Sequence, residues 1–238
     1  MNRTDGGQRI ATADGAMLAD PRSLGNLEPV LFDPRYWAAR GQLAQVSRGR
    51  GSAWFIETEP HPWVLRHYRR GGFIARLSKD RYVWAGEGRV RAFAEWRLLG
   101  TLADRGLPVP KPVAARYERS GLLYRCDLIT ERIVGAVPLS ERLSDGGLLE
   151  EDWRRVGSIL ARFHAAGADH ADLNAHNILI DAAGHVSVID FDRGRMRVPG
   201  EWARGNLSRL RHSLLKIGGQ RFADHMWGQL LAGYAHPL

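Results

Sequence analysis

His170-Ala171-Asp172-Leu173-Asn174-Ala175-His176-Asn177-Ile178-Leu179, followed by Val188-Ile189-Asp190-Phe191-Asp192, is the stretch that decides the fold. Asp172 and Asn177 stand on a loop between a helical pattern and a hairpin pattern. Ile178-Leu179-Ile180 and Val186-Ser187-Val188-Ile189 read as two short strands around the turn Asp181-Ala182-Ala183-Gly184. A hairpin returns the chain to its start, so Asp190 comes back beside Asn177. Asp and Asn in isolation often only serve turns. Here His170, the apolar strands and Asp190 occur together, and three oxygen-bearing groups converge on one loop. Hard oxygen donors suit Mg²⁺, which takes one or two protein ligands and completes its shell with water and phosphate. Asn177 and Asp190 fit that role, and Asp172 is free to accept a proton from an attacking hydroxyl. These are the parts of phosphoryl transfer from ATP.

Outward from this stretch, the second half of the chain is mainly helical. Leu149, Trp153, Val156, Leu160 and Phe163 recur at helical spacing and predict an amphipathic helix over 149–167. Leu207, Leu210, Leu214 and Ile217 share another helical face, Gly218-Gly219 breaks it, and 222–234 resumes it. The first half is richer in strands. From Ala44 to Tyr68 the pattern predicts two strands around a turn, with Ser47-Arg48-Gly49-Arg50-Gly51-Ser52 as the turn and Ala53-Trp54-Phe55-Ile56 and Trp63-Val64-Leu65-Arg66 as the strand-like runs beside it. Leu122-Leu123-Tyr124 and Asp127-Leu128-Ile129-Thr130 predict a further pair of strand segments. One helix, 89–105, carries Val90, Phe93, Ala94, Leu98 and Leu102 on one face and stops at Gly106 and Pro108. Residues 1–25 are polar and Gly-rich and predict a loose tail, with order beginning near Leu31-Phe32-Asp33-Pro34. The layout is α+β and two-lobed, with lobes at 26–132 and 133–238.

Bulk properties exclude several classes. The chain of 238 residues has one cysteine, Cys126, so no disulfide framework can form within it. The N-terminal segment lacks the apolar run of a signal peptide, and no stretch approaches the roughly 18 apolar residues of a bilayer span. The net charge is +8, and of 34 basic residues only Lys79, Lys111 and Lys216 are lysine. Base composition of the genome accounts for such an arginine excess, and so does attraction to polyanions. A run from Arg66 to Arg81 holds Arg66, Arg69, Arg70, Arg76, Lys79 and Arg81 against Asp80, either as a solvated face or as a patch for phosphate or membrane. His164, His170 and His176 recur at a spacing that is not that of a zinc motif. The eight tryptophans are taken as mostly buried.

The Asp172, Asn177, Asp190 arrangement resembles the catalytic core shared by protein kinases and their small-molecule relatives. That resemblance implies further roles in chain order. Gly49-Arg50-Gly51-Ser52 is similar to a shortened Gly-rich loop over the phosphates, although G-x-G alone is usually a turn. Glu95 matches the helix glutamate that pairs with a strand lysine, and Glu131 to Ile133 falls where a hinge meets adenine through backbone groups. There are departures. Arg66 stands where the strand lysine is expected, and either Arg66 serves, or Lys79 or another cation does. Ala171 stands where regulated protein kinases often carry arginine, Asp192 replaces the glycine of the DFG-like triplet, and only Arg193 to Leu238 follows it. These departures point away from a phospho-regulated protein kinase and toward a compact small-molecule enzyme.

Residues 63–72 (Trp-Val-Leu-Arg-His-Tyr-Arg-Arg-Gly-Gly), 106–112 (Gly-Leu-Pro-Val-Pro-Lys-Pro), 172–177 and Ile189-Asp190-Phe191-Asp192-Arg193 together resemble a narrower group. It is the 3-deoxy-D-manno-octulosonic acid (Kdo) kinases of the lipopolysaccharide kinase family, with the resemblance running from about residue 30 to the end. It implies ATP- and Mg²⁺-dependent phosphorylation of the 4-hydroxyl of Kdo on a Kdo–lipid A precursor. It also implies a peripheral place on the anionic cytoplasmic face of the inner membrane, where a basic protein without a span meets a lipid-linked acceptor. Nucleic acid is not an expected partner. The competing readings are an antibiotic or sugar phosphotransferase, and a non-catalytic basic module for lipid or RNA, which leaves Asp172, Asn177 and Asp190 without a purpose.

Overall fold

Apolar alternation in the first half closes into one antiparallel sheet. The computed structural model describes residues 7–21, 27–46, 52–69 and 80–236. The strands of the first half are β1 (Gln8–Ala11), β2 (Gly15–Ala19), β3 (Leu43–Val46), β4 (Ser52–Ile56), β5 (Trp63–His67), β6 (Tyr82–Val83), β7 (Pro112–Ser120) and β8 (Leu123–Glu131). Their order is β1-β2-β7-β8-β5-β4-β3, with β6 paired to the start of β8. Two helices accompany them, α1 (Pro34–Ala39) and α2 (Arg91–Asp104). The chain divides into two compact units, Met1–Gly100 with Lys111–Arg132, and Thr101–Pro110 with Ile133–Leu238.

In the first unit, one sheet face packs Met17, Ile56, Leu65, Ala114 and Ile129 against Phe32 and Trp37. On the other face, Phe93 of α2 meets Tyr117 edge-on at 5.2 Å between ring centres. Residues 8–19, expected to be tail, form the hairpin β1–β2, which pairs with β7 and buries Ala16 to Ala19. The polar side chains that suggest a tail lie on the exposed edge strand β1. The segments at 122–124 and 127–130 belong almost entirely to one strand, β8, whose partner β7 carries no alternation signal. Val113, Ala114 and Ala115 are all buried because both faces of β7 are covered. Asp127 is 5% exposed on β8, and its charge is answered by Arg116 (Nε to Oδ2, 2.9 Å) and His67 (Nδ1 to Oδ1, 2.6 Å). That bond to Asp127 outweighs burial and raises the His67 pKa.

Helix α2 ends as its sequence dictates. Gly106 takes φ +69°, its N–H donates to Ala103 O and that of Leu107 donates to Leu102 O, the paired bonds of a glycine-terminated helix.

The second unit contains α3 (Leu139–Ser144), α4 (Glu150–Ala165) and α5 (Trp202–Ala235), with short strands β9 (Val137–Pro138), β10 (Ala168–Asp169), β11 (Ile178–Ile180), β12 (Val186–Val188) and β13 (Arg195–Met196). The hairpin β11–β12 pairs Ile178 with Val188 and Ile180 with Val186, and β9 adds to β11. Trp153, Val156, Leu160 and Phe163 of α4 are buried as their spacing predicts, but Leu149 is 72% exposed because it is the N-cap and precedes the buried face. Helix α5 is interrupted at Gly219 (φ 74°, ψ 176°). No helix among the described residues is long and apolar enough to cross a membrane.

Helices α4 and α5 approach backbone to backbone. A Cβ on Gly157 would lie 1.9 Å from Leu230 O, and one on Gly233 would lie 2.0 Å from Arg154 O. Gly157→Ala therefore forces the helices apart, and a loss of about 1–3 kcal/mol is expected in denaturant unfolding. Beside this contact, His164 Nδ1 lies 2.8 Å from the Tyr234 hydroxyl, with Trp202 edge-on to its ring. Burial pulls the His164 pKa from 6.5 down to about 4. Between those values the unfolded chain binds the proton that the folded one refuses, so stability falls as pH drops through that window. The slope reaches at most ~1.4 kcal/mol per pH unit. His164→Gln should flatten this part of a stability-versus-pH curve measured by urea unfolding.

Candidate active site

The geometry of the catalytic candidates in the second unit is set by one ring. His170 is 3% exposed, between α4 and the loop that precedes β11. Its Nε2 lies 2.9 Å from Ile189 O, and its Nδ1 lies 3.2 Å from the backbone N of Asp172. A carbonyl only accepts and an amide N–H only donates, so Nε2 carries the proton and Nδ1 accepts. One imidazole thus holds the backbone of Asp172 on one side and that of Ile189, next to Asp190, on the other. Phe191 packs on the ring at 4.6 Å between centres and stacks on Phe163 at 5.7 Å.

The loop is closed by its asparagines. Asp172 O accepts from Asn174 Nδ2 (3.0 Å) and from Asn177 Nδ2 (2.9 Å). Asn174 Oδ1 accepts from His176 N–H (2.9 Å). Ile189 N–H donates to Asn177 O (2.9 Å), so the residue before Asp190 is bonded directly to Asn177. Asp172, Asn177 and Asp190 are therefore brought together, as the hairpin argument predicts. Asp172 is exposed, Asn177 is 8% exposed, and Asp190 sits at φ 64°. That left-handed conformation is uncommon outside glycine but tolerated by aspartate.

These groups do not form a closed metal cage. No group of three or more His, Cys, Asp or Glu side chains among the described residues is arranged to hold a metal. An Mg²⁺ bound by one carboxylate, one amide oxygen and phosphate oxygens needs no such cage. Asn177 uses Nδ2 on Asp172, which leaves Oδ1 as its donor for a cation. The residues present fit such an ion.

Behind the loop stands a second layer that spacing alone does not single out. Asn206 of α5 is 1% exposed; its Oδ1 accepts from His170 N–H (3.0 Å) and its Nδ2 donates to Asp169 Oδ1 (2.9 Å). Arg195 Nε and Arg197 Nη1 reach Asp169 Oδ2 at 3.3 and 3.2 Å. Burial pushes the Asp169 pKa up, but Asn206 and the two arginines hold it below the ordinary carboxylate value. Arg209 Nη2 donates to His170 O (3.0 Å), and Ser213 Oγ accepts from Ala175 N–H (3.2 Å). One signal is present in the sequence. Asn206 lies midway between Trp202 and Leu210 at steps of four, a polar residue inside an apolar stripe.

In the first unit, Arg66 on β5 projects to the α2 side of the sheet. Its Nη1 lies 2.8 Å from Glu95 Oε1, and the Tyr68 hydroxyl donates to Glu95 Oε2. Glu95 is 2% exposed, whereas the Arg66 side chain keeps 26% of its surface. Burial, with the Glu95 charge beside it, holds the Tyr68 hydroxyl well above the usual phenol value, so it remains a donor. Arg66 and Glu95 are thus brought together, and Tyr68 is a partner that the sequence does not suggest. The N–H groups of Glu131 and Arg132 donate to Lys111 O (2.9 Å) and Pro62 O (2.8 Å). Gly49, Gly51 and Lys79 lie outside the described residues.

A sequence-family model described as Lipopolysaccharide kinase (Kdo/WaaP) family matches residues 34–234. A 3-deoxy-D-manno-octulosonic acid kinase of Xylella fastidiosa (strain 9a5c) is 48% identical over 215 residues, 90% of this chain and 86% of that protein. One from Stenotrophomonas maltophilia (strain K279a) is 48% identical over 211 residues, 88% and 84% of the two chains. Another from Xanthomonas axonopodis pv. citri (strain 306) is 49% identical over 208 residues, 87% and 83%.

The second layer also carries stability. Asn206→Ala orphans Asp169 Oδ1 and the His170 N–H, each worth about 1–3 kcal/mol when buried without a partner. Chemical denaturation should show a loss of that order, whereas Arg204→Ala, whose ion pair with Glu201 is exposed, should change little.

Proposed function

The chain belongs to the lipopolysaccharide kinase (Kdo/WaaP) family, and from that membership we propose that it phosphorylates Kdo on a Kdo–lipid A precursor, at the 4-hydroxyl, in lipopolysaccharide core biosynthesis. ATP is the donor. The observation that carries this reading in the molecule itself is the His170 clamp, which holds Asp172 and the Ile189–Asp190 segment in one arrangement.

Asp172 is the proton acceptor, exposed on its loop while its backbone is held at both the N–H and the carbonyl. The acceptor hydroxyl attacks the γ-phosphorus, its proton passes to the Asp172 carboxylate, and the bond to the departing ADP oxygen breaks. Asn177 Oδ1 and the Asp190 carboxylate would hold Mg²⁺, which when bound neutralises phosphate charge. Arg66, steadied by Glu95, offers its guanidinium to the nucleotide phosphates in the role that lysine has in protein kinases. A planar guanidinium suits phosphate oxygens. Adenine recognition by backbone groups falls at Ile133, because the N–H groups of Glu131 and Arg132 are already bonded; Glu131 then contributes by shaping the segment. Gly49 and Gly51 supply a short loop over the phosphates. The protein works at an anionic membrane surface, which a net charge of +8 favours.

The direct test is incubation of the purified chain with ATP, Mg²⁺ and a Kdo–lipid A precursor, with mass spectrometry of the lipid. Gain of one phosphate on Kdo is expected; no gain by a folded protein overturns the reading. Asp172→Ala should cut turnover at least ~10²–10⁴-fold with an unchanged unfolding curve, and a near-normal rate would remove Asp172 as the base.

A further inference from the structure

One end of the large sheet carries the exposed apolar surface of its unit. Among the described residues of the first unit, the large hydrophobic side chains that are exposed are Val83 (65%) and Leu122 (77%). Both lie at the tip where β6 meets the β7–β8 hairpin. Val83 pairs with Leu123, and the Trp84 N–H donates to Leu122 O (2.9 Å). Scattered single hydrophobic residues on a surface need no explanation, but these two are adjacent and joined by backbone bonds.

The surroundings of this tip are cationic. Arg119 lies over the Trp84 ring at 4.9 Å, with its Nε on Gly121 O at 2.8 Å. Arg81 is exposed directly before β6. Neither meets a carboxylate among the described residues. Of the nearby acids, Asp80 is paired with Arg125 (2.9 Å) and Glu118 with Arg116 (3.1 Å), and Asp14, whose carbonyl oxygen accepts from the Arg119 N–H (2.7 Å), is exposed. The tip therefore presents two aliphatic side chains, a half-buried tryptophan at their base, and two guanidinium groups that form no ion pair among the described residues.

We propose that the tip formed by Val83 and Leu122, ringed by Arg81 and Arg119, is the surface by which this protein docks on an anionic lipid bilayer. Aliphatic side chains enter the acyl boundary, the Trp84 ring lies at headgroup level, and arginines meet lipid phosphates. Charge complementarity selects an anionic over a zwitterionic surface. A protein partner is disfavoured by size, since stable interfaces take roughly 20–30 residues a side and the apolar part here is two side chains. The inference rests on the membrane reading given under Proposed function and names the element that performs it.

The experiment is co-flotation of the full chain with phosphatidylcholine vesicles, with and without phosphatidylglycerol, at low and high salt. The wild type should float with the mixed vesicles at low salt, and much less with phosphatidylcholine alone. The double variant Val83→Ser/Leu122→Ser should float roughly tenfold less, and Arg119→Gln should lose part of the salt-sensitive binding. Activity of both variants toward a detergent-solubilised Kdo–lipid A precursor should match the wild type. Equal flotation of wild type and double variant overturns the tip as the docking surface while leaving membrane attachment standing. Absence of wild-type flotation overturns membrane attachment itself. A change of oligomeric state in the double variant by light scattering makes the tip a contact between chains and also overturns the inference.

Discussion

The imidazole of His170 is the constraint on which the rest of the second unit's chemistry depends. The carboxylate proposed as the proton acceptor, that of Asp172, serves that role only if its loop has one conformation. The ring supplies this by reaching two backbone segments that lie on either side of the β11–β12 hairpin, Asp172 and Ile189. It can do so because a neutral imidazole has a donor on one side and an acceptor on the other. Phe191 lies against it and excludes water, which strengthens both bonds. The ring is in turn fixed from α5, where Asn206 takes the His170 N–H and Arg209 its carbonyl. The loop of Asp172 and Asn177 is thus anchored to a helix that begins only at Trp202, beyond the hairpin and β13. Local pattern therefore does not reveal what steadies it.

Arg66 and Glu95 follow a different logic. A buried carboxylate is costly unless its lone pairs are used. Glu95 meets this with two partners on separate oxygens, the Arg66 guanidinium and the Tyr68 hydroxyl. Both come from the same short run of chain, and Tyr68 N–H is itself tied to Cys126 O at 3.1 Å. Tyr68 takes one carboxylate oxygen and Arg66 Nη1 meets the other. Arginine brings a planar donor fork to this position, whereas lysine would offer a point charge with no plane to orient.

How much of this was legible in the sequence follows from how local each signal is. Helix α4 and the hairpin β11–β12 could be read because period and turn chemistry agree within each short stretch. Asp172, Asn177 and Asp190 could be placed together because a hairpin is a closed geometric argument. Strand β7 could not, since a strand covered on both faces shows no alternation, and Ala114 and Ala115 do not advertise a strand. The hairpin β1–β2 was hidden by Gln8 and Arg9 on its exposed edge, while its buried run extends only from Ala16 to Ala19. Asn206 and Tyr68 were illegible for another reason. Their importance lies in partners far away in sequence, and no periodicity records a partner.

The arginine excess takes on a different meaning in the same way. A net charge of +8 suggests a polyanion-binding face, but many arginines are used internally. Arg105 donates to Ala166 O, Arg162 to Gly106 O and Arg142 to Asp181 O, each closing a helix end or a turn across the fold. Arg116, Arg195 and Arg197 neutralise buried aspartates. A planar, always-charged donor fork suits these carbonyl and carboxylate ties better than a flexible ammonium does, so arginine dominance has a structural use whatever its genomic origin. Subtracting such residues leaves a smaller cationic surface than composition implies. Within the described part of the first unit, Arg81 and Arg119 belong to that remainder, and they stand beside Val83 and Leu122. Charge and apolar exposure coincide at one place, where total charge alone could not locate them.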